Sequence, residues 1–220
     1  MKITKYLKNK FLKKEGFPIC ESSEFRNALK IIKSHCNSSV TDLNAEEKLD
    51  FLKYALHTIK SDFLTSYRAE IIYKKSVNPQ EARVLPFIGD LTGDKVKLNI
   101  ESVDIFTFPW ERNRISSALK NLKNTIFKHD ESNHFAIYYP YMNICYVHNG
   151  IHSSTIAKYY NKGYIKADLY DMEKAFKSYS TDGSSWFLKE TIERIDDVFD
   201  FRIAIMFEIC KMIYETNRRI

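Results

Sequence analysis

The chain has 220 residues, 44% of them hydrophobic and 28% charged, a balance that supports an ordinary folded core and excludes wholesale disorder. Six Gly and five Pro are few for an all-β chain with many turns, so long helices are expected. No stretch reaches the roughly 18 apolar residues of a membrane span. The best candidate, Phe201 to Tyr214, is interrupted by Arg202, Glu208 and Lys211, and the Lys-rich start lacks the apolar core of a secretory signal.

The formal net charge is +6, from 34 basic and 28 acidic residues. The excess is concentrated at Lys2, Lys5, Lys8, Lys10, Lys13 and Lys14. Such a segment reads first as a solvated helical end and second as a contact for nucleic acid or anionic lipid. Cys20, Cys36, Cys145 and Cys210 form no CxxC pair and have no His at zinc-ligand spacing, which points to a reducing, cytoplasmic protein. Cys145 and Cys210 lie inside apolar runs, as buried thiols do.

In chain order, residues 1–78 read as helical. Ile3, Leu7 and Phe11 share a helical face, and Gly16 and Pro18 end it. Phe25, Leu29 and Ile32 predict a second helix starting near Ser22 or Ser23. Asn44 precedes Glu47 in the manner of a capping box, and Leu49, Leu52, Leu56, Ile59 and Phe63 continue at helical spacing. That third helix is expected from Ala45 to about Tyr73, with Asn78-Pro79 closing the block.

The middle of the chain changes period. Val96, Leu98 and Ile100 alternate with polar residues, and Val103 to Phe108 is a short apolar run ending at Pro109. A helix is expected over Asn113 to Asn124, with Ile115, Ala118, Leu119 and Leu122 inward. Phe135–Tyr139 and Asn143–Val147 read as paired strands around Pro140. His148-Asn149-Gly150 reads as a turn, Ser153–Tyr160 as a helix closed by Gly163, and Tyr164–Tyr170 as a strand. A short helix over Met172 to Tyr179 follows. After the turn at Asp182-Gly183, with Trp186 buried behind it, a cap at Ser184 or Ser185 opens one long helix through Ile192, Ile195, Phe199, Ile203, Met206 and Ile213 to about Asn217. Helices, then βαββαβ, then helices indicate an α+β fold. The expected division is a helical region 1–80, a mixed-sheet core 81–175 and a C-terminal long helix over 176–220, packed as one unit.

Two segments concentrate chemistry. In Phe108-Pro109-Trp110-Glu111-Arg112-Asn113-Arg114 a strand stops and charge collects before a helix; Arg112 and Arg114 could hold an anion or simply pair with carboxylates. In Val147-His148-Asn149-Gly150-Ile151-His152-Ser153-Ser154 a strand enters a Gly turn and a helix. Its amides, imidazoles and hydroxyls suit a phosphate cradle, or a plain turn capped by Ser153. His129, His134, His148 and His152 show no H-E-x-x-H pattern, so a metal hydrolase is disfavoured.

Taken together, the two segments and the stretch Ala157 to Asp168, with Gly163 and Ile165, resemble the ParB/sulfiredoxin-like superfamily over Val96 to Asp171, about a third of the chain. That family has an early Pro- and Arg-rich box before a helix and a later Gly-centred motif before a helix and strand. The resemblance implies a mixed-sheet core and a nucleotide- or phosphate-binding pocket, with a nucleoside triphosphate and Mg²⁺ as the expected ligands. It also implies roles in a phosphotransferase or nuclease: Glu111 and His152 as the catalytic residues, Glu111 as general base or metal holder and His152 as donor to or acceptor from a phosphoryl oxygen, and Arg112, Arg114, Asn149, Gly150, Ser153 and Ser154 as phosphate contacts. The chain departs from the family pattern. Ser153 stands where the family has Arg, Asn149 where it has Asp, and Ile151 where sulfiredoxins have Cys, so sulfiredoxin activity and the CTP-dependent clamp of partition proteins are not expected.

The competing reading is a non-catalytic module with a degenerate pocket, whose helical blocks bind a protein partner and whose basic N-terminus touches nucleic acid. The Lys-, Asn-, Ile- and Phe-rich composition suits an AT-rich bacterial or mobile-element gene, which would place either reading among phage-defence, toxin–antitoxin or immunity proteins.

Overall fold

A computed structural model of the chain describes residues 22–37, 42–75, 84–86 and 90–218. The Lys-rich segment with Ile3, Leu7 and Phe11, Cys20, and the Asn78-Pro79 stop lie outside the described residues.

Helix α1 spans Ser22–Asn37 and α2 spans Ala45–Tyr73. Asn44 caps α2 as its sequence predicts: its side chain accepts from the backbone N–H of Glu46 and Glu47, and the Glu47 carboxylate accepts the Asn44 N–H at 2.8 Å. Strands β1 (Leu91–Asn99) and β2 (Asp104–Phe106) precede α3 (Arg112–Leu122). Then come β3 (Phe135–Tyr139), β4 (Ile144–Asn149), α4 (Ile151–Tyr160) and β5 (Tyr164–Tyr170).

These five strands form one mixed sheet in the order β1-β5-β3-β4-β2. The β1/β5 and β3/β4 pairs are antiparallel; β3/β5 and β2/β4 are parallel. Successive side chains point to opposite faces, and both faces are covered over β2, β3 and β4, while the β1 edge stays largely exposed. Ile105, Ala136, Cys145, Val147, Ile165 and Ala167 enter a smaller core with Ala157 of α4, Phe127 and Leu122 of α3. Their neighbours Phe106, Tyr139, Ile144, Tyr146 and Tyr170 enter the main core with α1, α2 and the C-terminal helix.

The main core is aromatic at its centre. Phe63 of α2 stands 4.6 Å from Phe106, Phe106 stands 4.9 Å from Phe108, and Phe108 stands 5.5 Å from Phe199. These tilted and edge-on pairs add to simple burial. One polar lock crosses this core. Asp200, only 3% exposed, accepts from the Tyr67 hydroxyl at 2.9 Å and from Arg202 Nε at 3.0 Å, and Arg202 Nη1 reaches Asp62 at 2.7 Å. Helix α2 is thereby tied to the start of the C-terminal helix.

The C-terminal third differs from its sequence pattern. Helix α5 (Met172–Ser178) is as expected, but β6 (Tyr179–Thr181), β7 (Ser185–Leu188) and β8 (Arg194–Asp197) follow as a separate antiparallel sheet. Helix α6 begins only at Phe201 and runs to Asn217. The apolar spacing through Ile192 and Ile195 mimics a helix. Ile192 is instead 79% exposed with φ +57°, in the turn between β7 and β8. Strand pairing wins because Trp186 is buried edge-on against Phe207, 5.1 Å away, from a strand position, and because Asp200 supplies the N-cap. Asp182 Oδ1 accepts from the Ser184 and Ser185 N–H groups, so this serine pair closes a turn and opens no helix. Cys145 and Cys210 are fully buried free thiols. Among the described residues no helix is long and apolar enough to cross a membrane.

Two substitutions separate core from cap. Phe63→Ala, at a side chain with no exposure, should cost about 3–5 kcal/mol. Asn44→Ala, at an exposed cap, should cost only about 1 kcal/mol. Urea denaturation of both variants checks the ratio.

Candidate functional site

Helices α3 and α4 lie side by side over the smaller core, and the N-terminal end of α4 and one side of α3, from Arg114 to Leu122, frame a cleft of about 700 Å³. Neither helix has a side-chain cap: Glu111 precedes α3 and Gly150 precedes α4, each without a capping hydrogen bond. The two sequence segments therefore do meet in space, and the contact between them is His152.

His152 is 8% exposed, and its Nε2 faces the backbone N–H of Glu111 at 3.2 Å and of Trp110 at 3.4 Å. Both amides donate, so Nε2 is the acceptor and the ring proton sits on Nδ1. The ring also packs edge-on against Trp110. Burial, then the nearby Arg114, pulls the imidazole below its usual protonation range, and Glu111 opposes this in part. This imidazole caps the approach to α3 from the first turn of α4.

A second histidine supports the other wall. His134, 6% exposed, accepts the Asp130 N–H on Nδ1 at 2.8 Å, which puts its proton on Nε2. Nε2–H donates to Ser153 Oγ at 3.1 Å, and that hydroxyl donates to Gly150 O at 3.0 Å. The direction of this chain matters. The imidazole gives a proton to the serine and cannot take one from it, so it is not arranged to generate a serine nucleophile. Burial, then His129, lowers the His134 proton affinity, and Asp130 opposes it.

Gly150 is dictated by this packing. Its φ is +73°, and a Cβ there would lie 2.1 Å from His134 Cδ2. The expected turn at His148-Asn149-Gly150 is thus shorter than its composition suggests: β4 continues through Asn149, and the single left-handed residue Gly150 hands the chain to α4. Helix α4 starts at Ile151, two residues before the predicted start, and closes on Asn161 with φ +51°, two residues before Gly163. Gly163 itself meets Phe127 in an isolated bridge.

The predicted site residues divide into two groups. Arg114, Asn149, Gly150, His152 and Ser153 line the cleft, together with Lys128, His134 and His148. Glu111 does not line it; its carboxylate pairs with Arg114 Nε at 2.9 Å, and Arg114 lies over the Trp110 ring. Arg112 turns the other way, with its guanidinium on the backbone carbonyls of Lys74 and Lys75 beyond the end of α2. Ser154 is fully buried, away from the cleft, with no hydrogen-bond partner for its hydroxyl among the described residues. No group of three His, Cys, Asp or Glu side chains among the described residues could hold a metal ion. The support from His134 was missed in the sequence because it joins residues 19 positions apart; the only local trace was a Gly at the strand–helix junction.

The model of DUF6710, a family of unknown function, matches residues 8–220, and the chain belongs to that family. No curated protein and no solved structure matches it.

Gly150→Ala should destabilise the fold by at least about 2 kcal/mol, because it combines a left-handed backbone with a clash against a pinned ring; thermal or urea melts measure this. His129, His134 and His152 all have proton affinities held below the usual imidazole value of 6.5, by burial first in each case. The unfolded chain then takes up protons before the folded one as pH falls. Stability should therefore be full above about pH 6.5 and decline below it. Urea midpoints at about pH 7.5 and about pH 5.5 should differ in that direction, and equal midpoints would contradict the buried, neutral state of these rings.

Proposed function

We propose that this member of DUF6710 is a binding module for a phosphate-bearing small molecule, with a nucleotide as the expected class, held in the cleft between α3 and α4. The observation that carries the reading is the N-terminal end of α4, without a side-chain cap, opening on a cleft whose charged lining is Arg114 and Lys128 against the single carboxylate Asp130. Amides at a helix start and an arginine both favour an anion, and four successive residues at the start of α4, Gly150 to Ser153, line the cleft. The α+β core and the placement of both sequence segments at one cleft are compatible with the ParB/sulfiredoxin-like resemblance.

Binding is favoured over catalysis by where the acid–base groups are spent. The Nε2 lone pair of His152 is occupied by two backbone amides, and Glu111 does not line the cleft. A general base needs a free lone pair within reach of the proton it removes. Arg114, by contrast, has a mostly exposed side chain at the mouth of the cleft and can exchange its Glu111 partner for a phosphate. With Mg²⁺ as counter-ion, a nucleoside triphosphate would keep its γ-phosphate intact. A role in bacterial defence or immunity would then be one of sensing.

The test is a thermal-shift panel of ATP, ADP, CTP, GTP and UTP, with and without Mg²⁺, on the native chain and on Arg114→Ala. A bound nucleotide at a hundred times its Kd should stabilise the fold by about 2.7 kcal/mol, and Arg114→Ala should remove most of that gain. No shift with any nucleotide would overturn the reading.

A further inference from the structure

A second concavity, of about 580 Å³, lies on the other side of the α3–α4 pair, against the C-terminal half of α2. It shares no lining residue with the cleft described above. Its walls are apolar: Ile71 and Ile72 from α2, Ile115 and Leu119 from α3, Ile156 and Tyr159 from α4. Ile72 and Tyr159 are 81% and 70% exposed, a large apolar surface to leave in water. The volume lies within the range of small-molecule pockets.

Two cations interrupt these walls, Arg68 and Lys158. Arg68 is half-buried, yet among the described residues it donates one hydrogen bond, from Nη2 to Ile105 O at 2.6 Å. The rest of its guanidinium fork has no hydrogen-bond partner there. The contrast with Arg202 is informative, since Nε, Nη1 and Nη2 of Arg202 all reach Asp200, Asp62 or Ser66. Lys158 uses its ammonium on the Ile100 and Glu101 carbonyls. Of the nearby carboxylates, Asp104 is held by Lys60 at 2.9 Å, and Glu101 lies at the groove with an exposed side chain. Burial lowers the proton affinity of both Arg68 and Lys158, and the nearby Asp104 opposes it in part for each.

We infer that this groove is a binding site for an amphipathic carboxylate, its apolar body between α2, α3 and α4 and its head on the Arg68 fork beside Lys158. The chemistry on each side is complementary. A planar carboxylate accepts two parallel N–H bonds from a guanidinium, and an apolar chain covers the exposed Ile72 and Tyr159. An apolar ligand without a charged head would leave the fork unsatisfied, and a polar anion without an apolar body would leave the walls wet.

Isothermal titration of the native chain with decanoate, and with decanol as the uncharged control, tests this. Decanoate should bind at least about tenfold more tightly than decanol, and Arg68→Met should remove that preference. Because Arg68 also holds Ile105, Ile72→Glu at the exposed wall provides a variant that leaves the fold intact, and it should abolish decanoate binding by like-charge repulsion. Arg114→Ala, in the other cleft, should leave decanoate binding unchanged whether or not nucleotides bind there. Absence of decanoate binding, equal affinity for decanol, persistence of binding in Ile72→Glu, or its loss in Arg114→Ala would each overturn the inference.

Discussion

Strands β2 to β5 send side chains into two separate cores on opposite faces of the sheet, the edge strand β1 stays largely exposed, and the remaining elements are placed by which core they must cover. A slip of one residue in β4 would exchange Cys145 and Val147 with Ile144 and Tyr146, putting aromatic bulk where Ala136, Ala157 and Ala167 leave little room. The smaller core accepts small residues and lets α4 lie close to the sheet. The larger one takes most of the aromatic rings and needs four helices, α1, α2, α5 and α6, and a second sheet to close it. Because β2 and β4 are parallel neighbours, the strand-to-helix junctions at Trp110–Arg112 and Asn149–Ile151 are brought to the same edge of the molecule.

At that edge the polar groups serve the backbone before they serve any ligand. Two imidazoles, buried and neutral, each accept backbone N–H groups, and one of them passes a hydrogen bond through Ser153 to Gly150. Such an arrangement fixes the mouth of a cleft firmly. It also removes the histidines from acid–base duty, since neither ring presents a free lone pair there. His152 satisfies the two amides that lead into α3, those of Trp110 and Glu111, and leaves the first amides within α3 without a side-chain cap.

Charged groups in the interior divide by how completely they are answered. Asp200 with Tyr67 and Arg202, and Asp90 with Tyr179 and Lys174, are closed networks that join distant elements. Arg68 belongs to neither kind of closure. It stands beside apolar walls with most of its donors unanswered within the described residues, and that imbalance distinguishes the α2–α3–α4 groove from the rest of the surface.

Much of the fold was legible along the chain. The α2 limits and its capping box follow from Asn44, Glu47 and a run of apolar residues at helical spacing, and β5 follows from a β-rich run between Gly163 and Asp171. Those signals are local, set by hydrogen bonds within a few residues. The hairpin over 185–197 was not legible, because Ile192 and Ile195 satisfy helical spacing and only the seat of Trp186 against Phe207 selects the strand. The sequence also determined that Trp110–Arg114 and Asn149–Ser154 carry the unusual chemistry. Tertiary structure alone decided what each residue does with it: Arg114 at the cleft, Arg112 on the end of α2, Ser154 inside, and His152 bound to the amides of the other segment. Composition and spacing specify which groups are available, but the direction of a side chain is set by partners far away in sequence, and those exist only once the sheet has brought its two edges together.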